Sequence, residues 1–141
     1  MLTKNKAFSL IEVLVFVSIL MVFFVSALSV VAFSLKNLKS SEYKILASYY
    51  AQQAVEWLNA EKWTDWNNFF SKSNHNYCIN TLSWNSIGNC DSNFGIPAIF
   101  KRELSLTTIN NNQIEAQINV YWFDINKQQI LTVKRIFNQL E

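Results

Sequence analysis

The stretch whose reading decides the fold is Phe8-Ser9-Leu10-Ile11-Glu12-Val13-Leu14-Val15-Phe16-Val17-Ser18-Ile19-Leu20-Met21-Val22-Phe23-Phe24-Val25-Ser26-Ala27-Leu28-Ser29-Val30-Val31-Ala32-Phe33-Ser34-Leu35. These 28 residues contain one charge, Glu12, and the 23 from Val13 onward contain none. A helix needs about 20 apolar residues to cross the hydrocarbon core of a bilayer, so the run is long enough to span with some tilt. It is rich in β-branched residues, but in lipid a single segment satisfies its backbone hydrogen bonds only as a helix. Lys4 and Lys6 precede the run, and Lys36, Lys39 and Lys44 follow it, so positive charge by itself leaves the orientation open.

Two simple readings compete for this run. A secretory signal peptide has an apolar core of about 7–15 residues and a small-residue cleavage site, for which Val30-Val31-Ala32 would serve. The run here is roughly twice that length and carries an acid near its start. A plain membrane anchor explains everything except Glu12. A carboxylate in a membrane helix costs about 2.5–3.5 kcal/mol at mid-depth and less near the interface, so its presence asks for a partner.

Read together with the residues before it, Lys4-Asn5-Lys6-Ala7-Phe8-Ser9-Leu10-Ile11-Glu12-Val13-Leu14-Val15 resembles the class III signal of type IV pilins and of the pseudopilins of type II secretion. The resemblance is specific, because a basic leader, a Phe, an acid four residues later and an uninterrupted apolar run all coincide. It implies a leader of residues 1–7, cut by prepilin peptidase on the cytoplasmic side between Ala7 and Phe8, and N-methylation of the new amino terminus at Phe8. Other pilins or pseudopilins, an inner-membrane assembly platform and membrane lipid are the implied partners. The implied location is the inner membrane, crossed once, with a cytoplasmic amino terminus and an extracytoplasmic C-terminal domain. Once assembled, the subunit would lie at the cell surface or in the periplasm. Glu12 takes the place of the family's acid, five positions into the mature chain.

Cleavage would create an ammonium group on Phe8, and a subunit entering a filament can set that cation against the carboxylate of its neighbour. Two charges that are each costly to bury then become one pair, which sets axial register, and methylation leaves the amine charged. Glu12 is therefore expected to govern assembly. The chain departs from the family pattern at two points. Ala7 stands where Gly is usual, which points to slower processing. Phe8 to Leu35 has neither the Pro nor the Gly usual in this helix of major pilins, which favours a minor pilin or a pseudopilin.

Beyond the membrane segment, 8–35, the helical pattern continues over 36–62 and becomes amphipathic. Leu38, Glu42, Ile45 and Tyr49 form one stripe, and Leu46, Tyr50, Ala54, Trp57 and Leu58 form an adjoining one. Together they are too wide to face water, so both are expected to be covered. Ala47-Ser48-Tyr49-Tyr50-Ala51-Gln52-Gln53-Ala54-Val55-Glu56-Trp57 also resembles the second half of the helix in PilV-like and I-type minor pilins.

Residues 63–98 read as an irregular, Asn-rich loop that holds Gly88, Gly95 and Pro97. Interleaved with the Asn are Trp63, Trp66, Phe69, Phe70, Tyr77, Trp84 and Phe94. They are expected to pin the loop onto the rest of the domain; a carbohydrate-binding or base-stacking surface is the competing reading. Cys78 and Cys90 lie in the same region, twelve positions apart. In an oxidising compartment a disulfide between them would stabilise by about 3 kcal/mol in the chain-entropy model. Two free thiols are the alternative. A zinc site with His75 and Asp91 matches no standard spacing, so no metal is expected.

The C-terminal part reads as an antiparallel meander over 99–138. Phe100, Arg102, Leu104, Leu106 and Thr108 alternate with polar residues, then Ile114, Ala116, Ile118, Val120 and Trp122, then Gln129, Leu131, Val133, Arg135 and Phe137. Asn110-Asn111-Asn112 makes the first turn and Asp124-Ile125-Asn126-Lys127 the second. Arg102 and Arg135 fall on the inner registers, where an ion pair with Glu56 or Glu61, or a rim position, is expected. The fold expected is α+β: a long N-terminal helix whose amphipathic outer half packs on a three- to four-stranded antiparallel sheet, as the resemblance to pilins implies. The leader (1–7), the membrane and assembly half of the helix (8–35) and the exported domain (36–141) then account for the chain. Its strand pattern also resembles that of PilV-like and I-type minor pilins.

Composition and motifs give catalysis no support. Of 141 residues, 50% are hydrophobic and 16% charged, which excludes a disordered acidic or basic chain. A formal charge of +2 makes no electrostatic case for nucleic-acid binding, and removal of the leader takes Lys4 and Lys6 with it. With one His and no HExxH, GxSxG, P-loop or GxGxxG motif, neither an enzyme nor a cofactor is expected. The reading is a minor pilin or pseudopilin of a type IV pilus or type II secretion pseudopilus. The alternatives are an adhesive or DNA-uptake module on the same anchor, and an unprocessed single-span membrane protein.

Overall fold

The computed structural model describes residues 9–91, 95–124 and 127–139. Helix α1 runs Leu10–Thr64 and is followed by a short helix, α2, Trp66–Ser71. Four strands come next: β1 Asn76–Cys78, β2 Phe100–Asn110, β3 Gln113–Asp124 and β4 Lys127–Asn138. The sheet has the order β1-β2-β3-β4, with every neighbouring pair antiparallel. This is a long helix packed on a four-stranded antiparallel sheet, the α+β pilin-like fold expected. The chain divides into two compact units at Lys39 and Ser40.

In the first unit α1 starts where Ser9 turns the chain: the Ser9 carbonyl accepts from Glu12 N at 3.0 Å and Val13 N at 3.3 Å. Ser9 and Glu12 have the spacing of a capping box, with the acid in the first turn, where the helix dipole favours it. From Leu10 to Lys39 all side chains are exposed except half-buried Leu20. Hydroxyls in this stretch bond back to the helix. Ser18 Oγ reaches Leu14 O and Val15 O, Ser26 Oγ reaches Val22 O at 2.8 Å, and Ser29 Oγ reaches Val25 O at 2.9 Å. These three serines therefore present no unsatisfied donor to an apolar surround, which suits a membrane-crossing helix.

In the second unit α1 buries Ala47, Ala51, Ala54, Val55 and Leu58, a face built mostly of small side chains, against the sheet. Small residues let the helix backbone approach the inward rows Phe100, Leu104, Leu106 and Ile114, Ala116, Ile118, Val120, Trp122. The register aligns them: Leu104 lies opposite Ile118, and Ile118 opposite Val133. Each fully buried Leu, Ile or Phe contributes about 1.5–3 kcal/mol, so this interface dominates stability.

The two helical stripes do not share the fate expected of them. Leu46, Tyr50 and Trp57 are half-buried and Ala54 and Leu58 fully buried, but Leu38, Ile45 and Tyr49 stay 63%, 70% and 56% exposed, and Glu42 is exposed too. In the second unit the sheet covers the face centred on Ala47, Ala51 and Ala54, and Ile45 and Tyr49 lie off that face. The region 63–98 is also more regular than expected. Asp65 caps α2 through Asn68 N at 3.1 Å, and Trp66, Phe69 and Phe70 share that helix's inner side. Strand β1 pairs Tyr77 with Leu104 and supplies the fourth strand. Ile125 and Asn126 of the second turn, and Phe94, lie outside the described residues.

Candidate functional site

Two regions carry the residues singled out by sequence. The first is the start of α1, where Glu12 stands exposed in the first turn; Ala7 and Phe8 lie outside the described residues. Around and beyond Glu12, Leu10, Ile11, Leu14, Phe16, Ile19 and Met21 are each more than half exposed, so no part of the described chain covers the apolar run. Its length and composition suit a membrane crossing.

The second region surrounds the cysteines. Cys78 and Cys90 are joined with S–S 2.08 Å and Cα–Cα 4.8 Å. His75 instead places Nδ1 2.9 Å from Ser73 O, and among the described residues no three His, Cys, Asp or Glu side chains gather as metal ligands. The backbone N–H of Cys90 donates to Glu103 Oε1 at 3.0 Å, and Lys101 Nζ lies 3.4 Å from the same oxygen. Glu103 thus sits buried on the outer side of the sheet because its charge is met on two sides. Burial, with Glu103 behind it, pushes the neighbouring Tyr121 phenol up from its ordinary value.

Arg102 corrects the expectation of an ion pair. It is 2% exposed and meets neither Glu56 nor Glu61. Its guanidinium donates through Nη1 to Tyr50 O of α1 at 2.6 Å, through Nε to Ile79 O at 3.1 Å and through Nη2 to Asn80 O at 3.4 Å. Its own backbone N–H donates to Asn80 Oδ1 at 2.8 Å. A planar fork of five donors can be satisfied by carbonyls alone, which the single ammonium of a lysine cannot match. Burial pushes the guanidinium pKa down to about 10, with a small opposing influence from Tyr50. Arg102 is a tie between helix, loop and sheet. Arg135 lies on the inner register opposite Ala116 and is exposed, the rim position expected for it.

The aromatic residues of the loop pack inward. Phe69 and Tyr77 are buried, Trp66, Phe70 and Trp84 are half-buried, and all five join the core. Trp84 packs on Trp57 of α1 with tilted rings, 4.6 Å between centroids, and donates Nε1 to Glu61 Oε2 at 2.7 Å. This is the pinning expected. Of the described aromatic residues in 63–98, Trp63 is the exposed one, at 71%. Sequence reasoning missed Glu61 as the partner of Trp84 and Glu103 as the partner of the Cys90 N–H, since both pairings depend on where the loop lands.

Residues 2–28 match the family model described as the prokaryotic N-terminal methylation motif, which is the signal of type IV pilins and pseudopilins. No curated protein and no solved structure matches the chain. The motif and the apolar helix support a membrane-anchored, single-pass protein of the type IV pilin-like, prepilin-processed kind.

Proposed function

We propose that the chain bearing this methylation signal is a minor pilin or pseudopilin, cut between Ala7 and Phe8 and built into a type IV pilus or a type II secretion pseudopilus. The observation that carries the reading is the coincidence of the signal over residues 2–28 with a helix start whose apolar side chains the described chain leaves uncovered. Prepilin peptidase removes residues 1–7, and the amino terminus of Phe8 is methylated. The membrane holds the free subunit, and the apolar side chains of neighbouring pilins replace lipid around α1 in the filament. The inner-membrane assembly platform drives that transfer. The amino terminus starts in the cytoplasm and the exported domain lies on the other side of the inner membrane.

Glu12 acts by pairing with the Phe8 ammonium of an adjacent subunit. An acid at this depth is costly alone and tolerable as half of a pair, and its place in the first helical turn adds support from the dipole. The exposed Ile45 and Tyr49 of α1 in the exported unit favour contacts between subunits over contacts with water. The resemblance of the second half of α1 and of the strands to PilV-like and I-type minor pilins favours a minor subunit. Assembly, not catalysis, is its activity.

Mass spectrometry of the native amino terminus tests the processing. A methylated Phe8 is expected, and an intact leader on protein isolated from filament-bearing cells would overturn the reading. Glu12→Ala tests the pairing: the processed subunit should stay in the membrane and drop out of filaments. Normal incorporation of that variant would remove Glu12 from the mechanism.

A further inference from the structure

The sheet has two edges, and the chain treats them differently. Strand β1 is three residues long, and the loop that follows takes its outer side: Cys78 N donates to Ser86 O at 2.9 Å and Gly88 N to Asn76 O at 2.7 Å. Strand β4 is twelve residues long and forms the other edge. Its ladder with β3 runs from the Asp124 and Lys127 pair to the Gln113 and Asn138 pair without a bulge, and the strand contains neither Pro nor Gly. The bond from Gln139 N to Asn112 O at 3.0 Å fixes the phase of that ladder. Alternate residues of an antiparallel edge turn their N–H and C=O groups outward, so Gln128, Ile130, Thr132, Lys134 and Ile136 present theirs to the side on which, among the described residues, no strand pairs.

A long, regular edge is a template for another strand, and folded proteins blunt such edges by shortness, Pro, a bulge, a cover or charge. The β1 edge is both short and covered. The β4 edge has charge alone, in Lys127, Lys134 and Arg135, with no Asp or Glu in the strand. The acids nearest in register are Glu115, 3.4 Å from Lys134 Nζ in an exposed pair, and Asp124 opposite Lys127. Both belong to β3, one strand further in. Charge of one sign does not close an edge; it selects what pairs there. A second copy would bring three cations from each strand together along the seam with no acid between them, and like charges across a strand pair repel. An extended segment carrying carboxylates meets the same cations favourably.

We propose that the β4 edge takes an extended acidic segment of a partner protein as a fifth strand. Backbone groups of Ile130, Thr132 and Lys134 hold it by ladder bonds, and Lys127, Lys134 and Arg135 select for carboxylates on it. β-branched residues between the acids suit the pleated surface. The inference concerns one edge of the exported unit and does not rest on the reading of the chain as a filament subunit.

Amide hydrogen exchange of the full chain in detergent micelles tests it, with and without a ten-residue peptide of valine, threonine and four glutamates spread over both faces of the strand. Saturable binding that protects the amides of Ile130, Thr132 and Lys134 is expected. The matched peptide with lysine in place of glutamate should bind at least about tenfold more weakly, since each exposed charge contact turns from attraction to repulsion. Lys134→Glu combined with Arg135→Glu should reverse the order of the two peptides. Both side chains are exposed, and a reversed preference is a result that a folding defect does not produce. No binding of the glutamate peptide to the unmodified chain would overturn the proposal, as would binding that leaves the edge amides unprotected, equal binding of the two peptides, or an unchanged preference in the double variant. Protection of the same amides that grows with protein concentration in the absence of peptide would also overturn it, because the occupant would then be a second copy.

Discussion

Replacing Arg102 tests whether a buried cation held only by carbonyls is a net stabiliser. Its guanidinium reaches Tyr50 O, Ile79 O and Asn80 O, but these oxygens do not depend on it equally. Tyr50 O lies inside α1, and Ile79 O also accepts from Leu82 N at 3.1 Å. Asn80 O is the group left wanting, at about 1–3 kcal/mol for one unsatisfied carbonyl. Against this stands the burial of the charge. The fall of the guanidinium pKa to about 10 corresponds to about 3 kcal/mol of disfavoured cation. Arg102→Met removes the charge and keeps most of the apolar stem, so the two effects offset and the net loss should be about 0–2 kcal/mol. Arg102→Ala adds an unfilled volume and should cost about 3–5 kcal/mol. Arg102→Lys keeps a buried charge with too few donors in the wrong geometry and should resemble the Ala variant at about 3–5 kcal/mol. Urea unfolding of the full chain in micelles, followed by near-ultraviolet circular dichroism, ranks the three. A Lys variant as stable as the parent, with the Met variant losing more than about 4 kcal/mol, would refute the reasoning, because charge alone would then be what the site needs.

Opening Cys78–Cys90, by reduction or by paired Ser substitutions, should lower stability by about 3 kcal/mol, as expected for a loop of that length, and should loosen the hold of the Cys90 N–H on Glu103; unchanged urea midpoints with and without reductant would remove the disulfide from the stability argument. Trp122 buries its indole with Nε1 unpartnered, so Trp122→Phe should cost less than about 1 kcal/mol despite the smaller ring, and a loss above about 3 kcal/mol would mean the N–H is satisfied. Burial raises the Tyr77 phenol above its ordinary value of 10.0, so the folded state prefers the protonated form. The resulting stability is fully present below about pH 10 and is lost as pH rises through the higher folded value. Alkaline unfolding midpoints should therefore shift upward in Tyr77→Phe relative to its own neutral-pH stability, and parallel curves for the two proteins would rule this out.

The sheet was legible because its signal is local. Over β2 and β3 the period of two sorts Leu104, Leu106, Ile114, Ala116, Ile118 and Val120 inward without reference to anything distant. The same holds for the apolar run of α1, whose length alone decides what it suits. Helix α2 and strand β1 were hidden for opposite reasons. Six and three residues are too short for periodicity to register, and what stabilises them is an Asp65 cap in one case and pairing with a distant strand in the other. The helical stripes failed differently. Hydropathy placed both under cover, whereas the sheet covers one side of the helix, the face of Ala47, Ala51, Ala54 and Leu58, and leaves Ile45 and Tyr49 exposed. Which stripe the sheet meets is fixed by long-range packing, which a pattern along one helix does not carry.

Arg102 shows where the limit lies. Alternation placed it inward correctly, and the error was to suppose that an inward cation must find an acid. Glu61 is engaged by Trp84 Nε1, and Glu103, on the outer side of the sheet, by the Cys90 N–H and Lys101. The acceptors that do serve it are backbone atoms of Tyr50, Ile79 and Asn80, which every sequence possesses and which no side-chain pattern can single out. Their convergence depends on the loop after β1 crossing the end of β2, and that crossing is held by the Cys78–Cys90 link and by Asn80 Oδ1 on the Arg102 N–H. The disulfide and the buried guanidinium are thus two parts of one fastening, so the stability losses from opening each should fall short of their sum when both are opened together. Strict additivity in that double variant would mean that the loop is held at two independent points.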